Sequence, residues 1–388
     1  MKPLAVFSDE IYEHGGFYDE LLTRGDCLPL EVAAPSAVAF MGHVYEHTER
    51  PVGYVDVIAE DGSFRDYILE MYRSHNLRQR LSPRCIIVSI DYCYISYGII
   101  YRPANEGLDV IYETFRSIDQ PWMPVLDQSN PFPQITRHYD GRNEPVLFLG
   151  SAGSQNYGHW LVDDLPRVKA IASIGKNPTI LLTSFSGKID EVRRESLDAA
   201  LKGAGPYRIE MVGPDDIVQV DRLTYVSPTS FHPYIKNQNA MEFVRSLAPS
   251  NVTAGLKLFV TRSPDRYRKL LNLSAVEEAL CALGFVTVDP ETLTFEEQAR
   301  TFAGAGVVVG VMCAAMTNTI FCKSGSKIIH LAPEPWDEQF YWDLAMTMGH
   351  HYAVVYGPRA GNAQEPFYDD FSIDLDLVRE AIGCGSDR

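Results

Sequence analysis

Long apolar runs are absent from this 388-residue sequence. The stretch Tyr92 to Tyr101 comes nearest, and it falls well short of the roughly 18 residues that a membrane-spanning helix requires. At the N-terminus the apolar run Leu4 to Phe7 stops at Ser8, Asp9 and Glu10, too short for a signal-peptide core. The expectation is a soluble, cytoplasmic protein without a membrane span. Cysteine is scarce: seven residues, at 27, 85, 93, 281, 313, 322 and 384, with no CxxC pair among them. An odd, scattered set argues against both a disulfide framework and a zinc site, leaving reduced structural thiols, of which Cys313 is the one to watch. Positive charge is also short. With 34 Lys and Arg against 51 Asp and Glu the net charge is -17, so nucleic acid is repelled by the average surface and any anionic ligand must meet a local basic patch. Neither GxxxxGK[ST] nor GxGxxG occurs, and there is no internal repeat, low-complexity tract or Gly/Ser linker.

What is present is the composition of an ordered globular chain, 46% hydrophobic and 22% charged, long enough for two domains. Residues 1–140 mix short strand-like runs (Val52 to Ile58, Cys85 to Ile90, Ile95 to Tyr101) with charged loops and a proline cluster from Pro121 to Pro133, and yield no arrangement. From Pro145 onward strand and helix alternate. Strands are expected at 146–149, 179–183, 208–212 and 223–226, with helices from 156, near 188–202 and near 237–247. In a second set, strands are expected at 258–261, 285–288, 307–311, 327–332 and 352–355, with helices at 274–283, 295–303, 314–321 and 336–348. Such alternation predicts parallel sheets. The expected fold is α/β, two Rossmann-like domains facing a cleft with a mixed α/β N-terminal extension. Residues 1–250 form the first domain (extension 1–140, Rossmann-like part 141–250) and 251–388 the second, with ligands at the carboxyl ends of the strands.

Four segments carry chemistry. In NYGHWLVDDLPRV, residues 156–168, a helical turn of about 100° per residue puts Asn156, His159, Asp163 and Arg167 on one stripe opposite Leu161, Leu165 and Val168. That stripe is either a buried polar network or a site. His159 and Asp163 have metal-ligand spacing, but no third His or Cys cluster accompanies them, and an imidazole–carboxylate pair also has the makings of a general base. The loop GSAGS, residues 150–154, is either a turn or a ligand wall. In RSPDRYRKLLN, Arg262, Arg266, Arg268 and Lys269 supply the local basic patch; guanidinium forks suit a nucleotide diphosphate, unless Asp265 and the acidic surface simply balance them. In VVVGVMCAAMTNTIF the chain passes through Gly310 into a helix whose first N–H groups, from Ala314 to Thr317, are candidates to face a phosphate, although tight helix-on-strand packing explains the small residues equally well. His350-His351 reads as a charge pair at a helix C-terminus.

In this order the segments resemble the family 61 glycosyltransferases. An early NxxHWLxDxLPR motif is matched by Asn156, His159, Trp160, Leu161, Asp163, Leu165, Pro166 and Arg167; a later region by Arg262, Arg268, Leu271, Asn272, Gly284-Phe285, Pro290, Glu297-Gln298, Gly310, Ala314, Thr317 and Asn318. Where the family has His-Gly in a GxHGAGLTN loop, this chain has Met312-Cys313, and the following Gly is Ala315. The resemblance implies GT-B architecture and inverting, metal-independent transfer of a sugar from a nucleotide-diphosphate donor, UDP by default, to a glycan or glycolipid hydroxyl, as in surface-polysaccharide biosynthesis. No cofactor or metal is expected. The implied roles are Asp163 as base with His159 as partner or substitute; Arg262, Arg268, Asn272, Glu297, Gly310, Ala314, Thr317 and Asn318 on the donor side; Asn156 and Arg167 on the acceptor side. A nucleotide-sugar epimerase and a non-catalytic sugar-binding or scaffold protein of the same fold are the alternatives.

Overall fold

The computed structural model describes residues 3–5, 28–29, 35–78, 80–104, 107–114, 134–263 and 266–383. Cys27, Cys384, Asp265 and the proline cluster 121–133 lie outside the described residues. The chain is mixed α/β and divides into two units, one of residues 1–48 and 81–231, the other of 49–80 and 232–388. No described helix is long and apolar enough to cross a membrane.

The first unit is organised by one mixed sheet. Four of its strands are parallel, in the spatial order Arg208–Val212, Thr179–Thr183, Val146–Phe148, Val218–Val226. Val218–Val226 then pairs antiparallel with the 12-residue strand Cys85–Ser96, Tyr225 lying opposite Val88 and Val220 opposite Cys93. Cys85–Ser96 in turn pairs antiparallel with Val38–Tyr45 and with Ile99–Ala104. Of the residues before 141 that showed no arrangement, Val38–Tyr45, Cys85–Ser96 and Ile99–Ala104 therefore extend the same sheet by antiparallel addition, whereas Val55–Ile58 joins the sheet of the second unit. Ile86, Val88, Ile90, Cys93, Val146, Phe148, Val220 and Tyr225 form one buried cluster across both parts. In the parallel part the chain runs outward from Val146–Phe148 on one side, then continues with Val218–Val226 on the other. Strand order reverses between these two, and the loops leaving their carboxyl ends, 149–156 and 227–229, border the crevice where open α/β sheets bind ligands.

The second unit is built on six parallel strands in the order Val286–Val288, Leu256–Val260, Ala305–Val311, Lys327–Glu334, His351–Pro358, Val55–Ile58. Runs such as VVVGV and KIIHLA are nearly continuous in apolar residues because strands of a parallel sheet are covered on both faces; Val309, Val311, Ile329 and Leu331 are buried with Val276, Leu280 and Phe285. Here strand order reverses between Leu256–Val260 and Ala305–Val311, so residues 261–263 and 312–317 leave from the crevice. The helix expected from Trp336 begins instead at Phe340, its first turn capped by the Glu338 carboxylate, which accepts the Phe340 N–H at 2.8 Å. Gly310 is a packing requirement: a Cβ there would lie 2.6 Å from Met316 Sδ and 2.9 Å from Val260 Cβ.

His350 is not half of a charge pair. It is buried, its Nε2 lies 3.1 Å from the Thr319 carbonyl, and burial pushes its pKa down to about 4. His330, stacked between Tyr341 and Tyr352 with ring centroids 4.8 and 5.3 Å away, is pushed by burial to about 3. Both are neutral at neutral pH because desolvation penalises the imidazolium.

Gly310→Ala is expected to lower stability by about 1–3 kcal/mol through overpacking against Val260 and Met316, read as a fall in the urea midpoint. The histidines fix a second outcome. Their folded pKa values lie below the ordinary 6.5, so below pH 6.5 the unfolded chain binds the protons first and stability falls, at up to ~1.4 kcal/mol per pH unit per group, until the folded pKa is reached. Urea midpoints measured from pH 8 to pH 4 are expected to hold above 6.5 and decline below it, with a shallower decline in His350→Gln.

Candidate active site

The segment 156–168 is not a regular α-helix. The Asn156 side chain caps it by accepting the Gly158 N–H at 2.8 Å, and one α-helical turn spans Tyr157–His159. Trp160–Asp164 is a π turn, in which the Leu165 N–H reaches back five residues to the Trp160 carbonyl, and Leu165–Ala172 is 3-10. The cause is in the sequence. Pro166 has no N–H to give Val162, and its ring crowds the carbonyl four residues back. That carbonyl accepts the Thr229 hydroxyl instead, at 2.5 Å.

A π turn holds one residue more than an α turn, and so rotates the residues after it by about 100°. Arg167 accordingly leaves the stripe expected for it. It is 1% exposed and donates to the carbonyls of Val226 (2.9 Å) and Gly150 (3.1 Å) and to the Asp164 carboxylate. Its guanidinium also lies 5.6 Å from the Tyr225 ring centroid. Ser154 completes the network by donating to Asp164 at 2.6 Å. With these contacts Arg167 braces the two strand ends rather than lining an acceptor wall, and GSAGS is a turn that supplies Gly150 and Ser154 to it. Trp160 is a second anchor: its indole N–H donates to Ser196 at 2.8 Å, and Arg193 stacks on it at 4.7 Å.

His159, just before the π turn, and Asp163, within it, stay together. His159 Nδ1 lies 2.9 Å from Asp163 Oδ2, and the Ser230 hydroxyl donates to Asp163 Oδ1. The side chains are 14% and 13% exposed, so the pair is accessible while its neighbours Trp160, Leu161 and Val162 are core. An ionised Asp163 makes Nδ1 the donor, which puts the lone pair of a neutral imidazole on Nε2.

In the second unit, Arg262 follows the strand Leu256–Val260 and Arg268 sits in the left-handed region with φ 61°. The two guanidiniums share Tyr267, at 5.7 and 5.3 Å from its ring centroid, and Arg268 also stacks on Trp336 at 4.2 Å. Arg268 is buried. Its Nε and Arg262 Nη1 are shielded from solvent without a hydrogen-bond partner, and among the described residues neither side chain forms an ion pair. Desolvation, reinforced by the Arg262 charge, lowers the pKa of Arg268, while Tyr341 and Cys313 pull the other way. Cys313 precedes the 3-10 helix Ala314–Phe321, and the Thr317 hydroxyl inside it is buried with no partner. Arg266 belongs elsewhere, paired with Glu291 at 3.3 Å.

The remaining donor-side candidates have structural engagements. Asn272 clamps Ile373, donating to its carbonyl at 2.7 Å and accepting its N–H at 3.1 Å. Glu297 is exposed and closes a capping box with Thr294. Asn318 is buried and donates to Gln298 at 2.9 Å, joining two helices.

Residues 157–329 match the family model described as Glycosyltransferase 61. The chain carries a glycosyltransferase 61 domain. It is thereby a glycosyltransferase, an enzyme with a sugar donor and an acceptor. No curated protein matches the chain. The glycosyltransferase 61 match begins one residue after Asn156 and takes in His159, Asp163, Arg262 and Arg268 together. Ser230 is not discernible in the sequence because a lone serine 67 residues from its partner carries no local signal. Trp336 and Tyr341 escape detection for a similar reason, each meeting Arg268 from far along the chain, and Tyr267 looks like core until its exposure is seen.

The neighbouring aspartates Asp163 and Asp164 are expected to differ. Asp164→Asn strands the buried Arg167 charge and should cost ~3–5 kcal/mol in urea unfolding. Asp163→Asn should cost no more than about 1 kcal/mol, because Ser230 and His159 keep partial partners.

Proposed function

We propose that the enzyme inverts configuration while transferring a sugar from a nucleoside-diphosphate donor, UDP first among candidates, to a hydroxyl of a glycan or glycolipid. The observation that carries this is the pair Arg262 and Arg268: two guanidiniums, one of them buried, sharing a ring at carboxyl strand ends with no carboxylate beside them among the described residues. Buried charge without a counter-ion is costly. A diphosphate supplies the missing anion, in the planar forked geometry that arginine suits. It is also the leaving group of the reaction, so the same groups stabilise the charge that develops as the bond breaks.

In a single displacement the acceptor oxygen bonds to the anomeric carbon on the face opposite the diphosphate, the carbon–diphosphate bond breaks with its electron pair, and the hydroxyl proton must leave. His159 Nε2 takes that proton. Asp163 is the orienting carboxylate rather than the base, because both its oxygens already accept hydrogen bonds, from His159 and Ser230. Asp163 also stabilises the imidazolium that results, a division of labour known from other His–Asp pairs. Metal-independent transfer is part of the proposal, supported by two guanidiniums able to neutralise the leaving diphosphate. GT-B architecture belongs to the same proposal, supported by a parallel strand run in each unit with a side-chain cluster at its carboxyl ends. A cytoplasmic location is likewise proposed, supported by the unpaired thiols of Cys85, Cys93, Cys281, Cys313 and Cys322.

Two measurements test this. A thermal-shift screen against UDP, GDP, CMP, dTDP and their common sugars is expected to raise the melting temperature with one nucleotide family, by the equivalent of about 2.7 kcal/mol at one hundred times Kd, and Arg262→Ala should abolish the rise. No shift with any of them would overturn the donor site. In turnover of the donor so identified, His159→Ala is expected to lower kcat about 10²–10⁴-fold while leaving the nucleotide shift intact.

A further inference from the structure

Beside the arginine pair lies a closed circuit of rings that the transfer chemistry leaves unused. Tyr267, which both guanidiniums touch, meets Tyr368 edge-on at 5.2 Å; Tyr368 lies against Phe367 at 4.1 Å; Phe367 meets Trp336 at 6.1 Å; and Arg268 stacks on Trp336 at 4.2 Å. Tyr267 and Tyr368 are each 51% exposed. Large aromatic side chains held half in water next to desolvated positive charge have no packing rationale of their own. The loops that carry them are tied by backbone. Leu271 N–H donates to the Phe371 carbonyl at 2.7 Å, Phe371 N–H to the Lys269 carbonyl at 2.9 Å, and Lys269 N–H to the Asp370 carboxylate at 2.7 Å. Asn272 holds the strand end at Ile373, and Asp369 pins the loop by pairing with Arg359 and accepting the Ala363 N–H. The rings are thus fixed in advance, which lowers the entropic cost of placing a flat ligand on them.

We propose that Tyr267 and Tyr368 form the nucleobase wall of the donor site, the base stacking on Tyr368 while the diphosphate meets Arg262 and Arg268. The inference rests on the donor-site reading above and deepens it. Tyr267 touches the guanidiniums and Tyr368 lies one ring further out, in the sequence diphosphate, ribose, base. Every nucleobase offers a π-face, and stacking on an aromatic side chain adds affinity without any hydrogen-bond readout. Asn272 is then a positioning residue, holding the aromatic loop rather than touching the donor.

The test is calorimetric titration of the full chain with inorganic pyrophosphate, UDP and GDP, in the unmodified protein and in Tyr368→Leu, Tyr368→Phe and Arg262→Ala. At least one nucleotide should bind about 10-fold or more tighter than pyrophosphate. Tyr368→Leu should remove about 10-fold of nucleotide affinity and leave pyrophosphate unchanged, Tyr368→Phe should retain it, and Arg262→Ala should weaken all three ligands. If Tyr368→Leu changes neither ligand class, or weakens pyrophosphate as much as nucleotide, the wall is overturned while the donor site stands. If the unmodified protein binds none of the three, the donor site itself fails and the wall with it.

Discussion

The first unit depends on the charge of Arg167. Its guanidinium reaches the carbonyl of Gly150 after one strand, the carbonyl of Val226 at the end of another, and Asp164 in the turn between. These are the two strands at which sheet order reverses, so a single side chain joins both lips of the crevice. Burying an ion pair gains little net stability unless its other hydrogen-bonding atoms are also satisfied. Here Ser154 and two carbonyls contribute to that, and the return is geometric: with the strand ends fixed, Thr229 and Ser230 are delivered to Val162 and Asp163.

Charge in the second unit follows two contrasting patterns. Arg50 and Lys236 are as buried as Arg268, yet both contact Asp343, at 2.5 and 3.2 Å, and Arg50 stacks on Trp342. That cluster contains its own counter-ion. Arg262 and Arg268 share the Tyr267 ring, neither forms an ion pair among the described residues, and burial lowers the basicity of Arg268. The contrast within one unit gives the unbalanced pair its meaning, since the same fold demonstrably provides a carboxylate where a buried cation is only structural.

Much of this is legible in the sequence, for identifiable reasons. Strands of the second sheet are buried on both faces, so their apolar runs stand out, and Thr179–Thr183, Arg208–Val212 and Phe295–Ala303 fall where periodicity puts them. His159 with Asp163, and Arg262 with Arg268, are visible as spacing because each pair is local. The antiparallel part of the first sheet is not legible, because pairing between Cys85–Ser96 and Val218–Val226 joins residues more than a hundred positions apart and leaves no local trace. A uniform helix over 156–168 misplaces Arg167. Ser230, Tyr267, Tyr341 and Tyr368 have their roles only through neighbours supplied by the fold.

Pro166 matters to the motif for the hydrogen bond it withholds. An ordinary residue there would offer an N–H to Val162, close an α turn, and compete with Thr229 for the same carbonyl. Thr229 adjoins Ser230, so a helix that closed on itself would loosen the strand-end loop and free one oxygen of Asp163. The vacancy in the helix ladder is in effect a socket, and the loop that plugs into it carries the serine that holds the carboxylate in place.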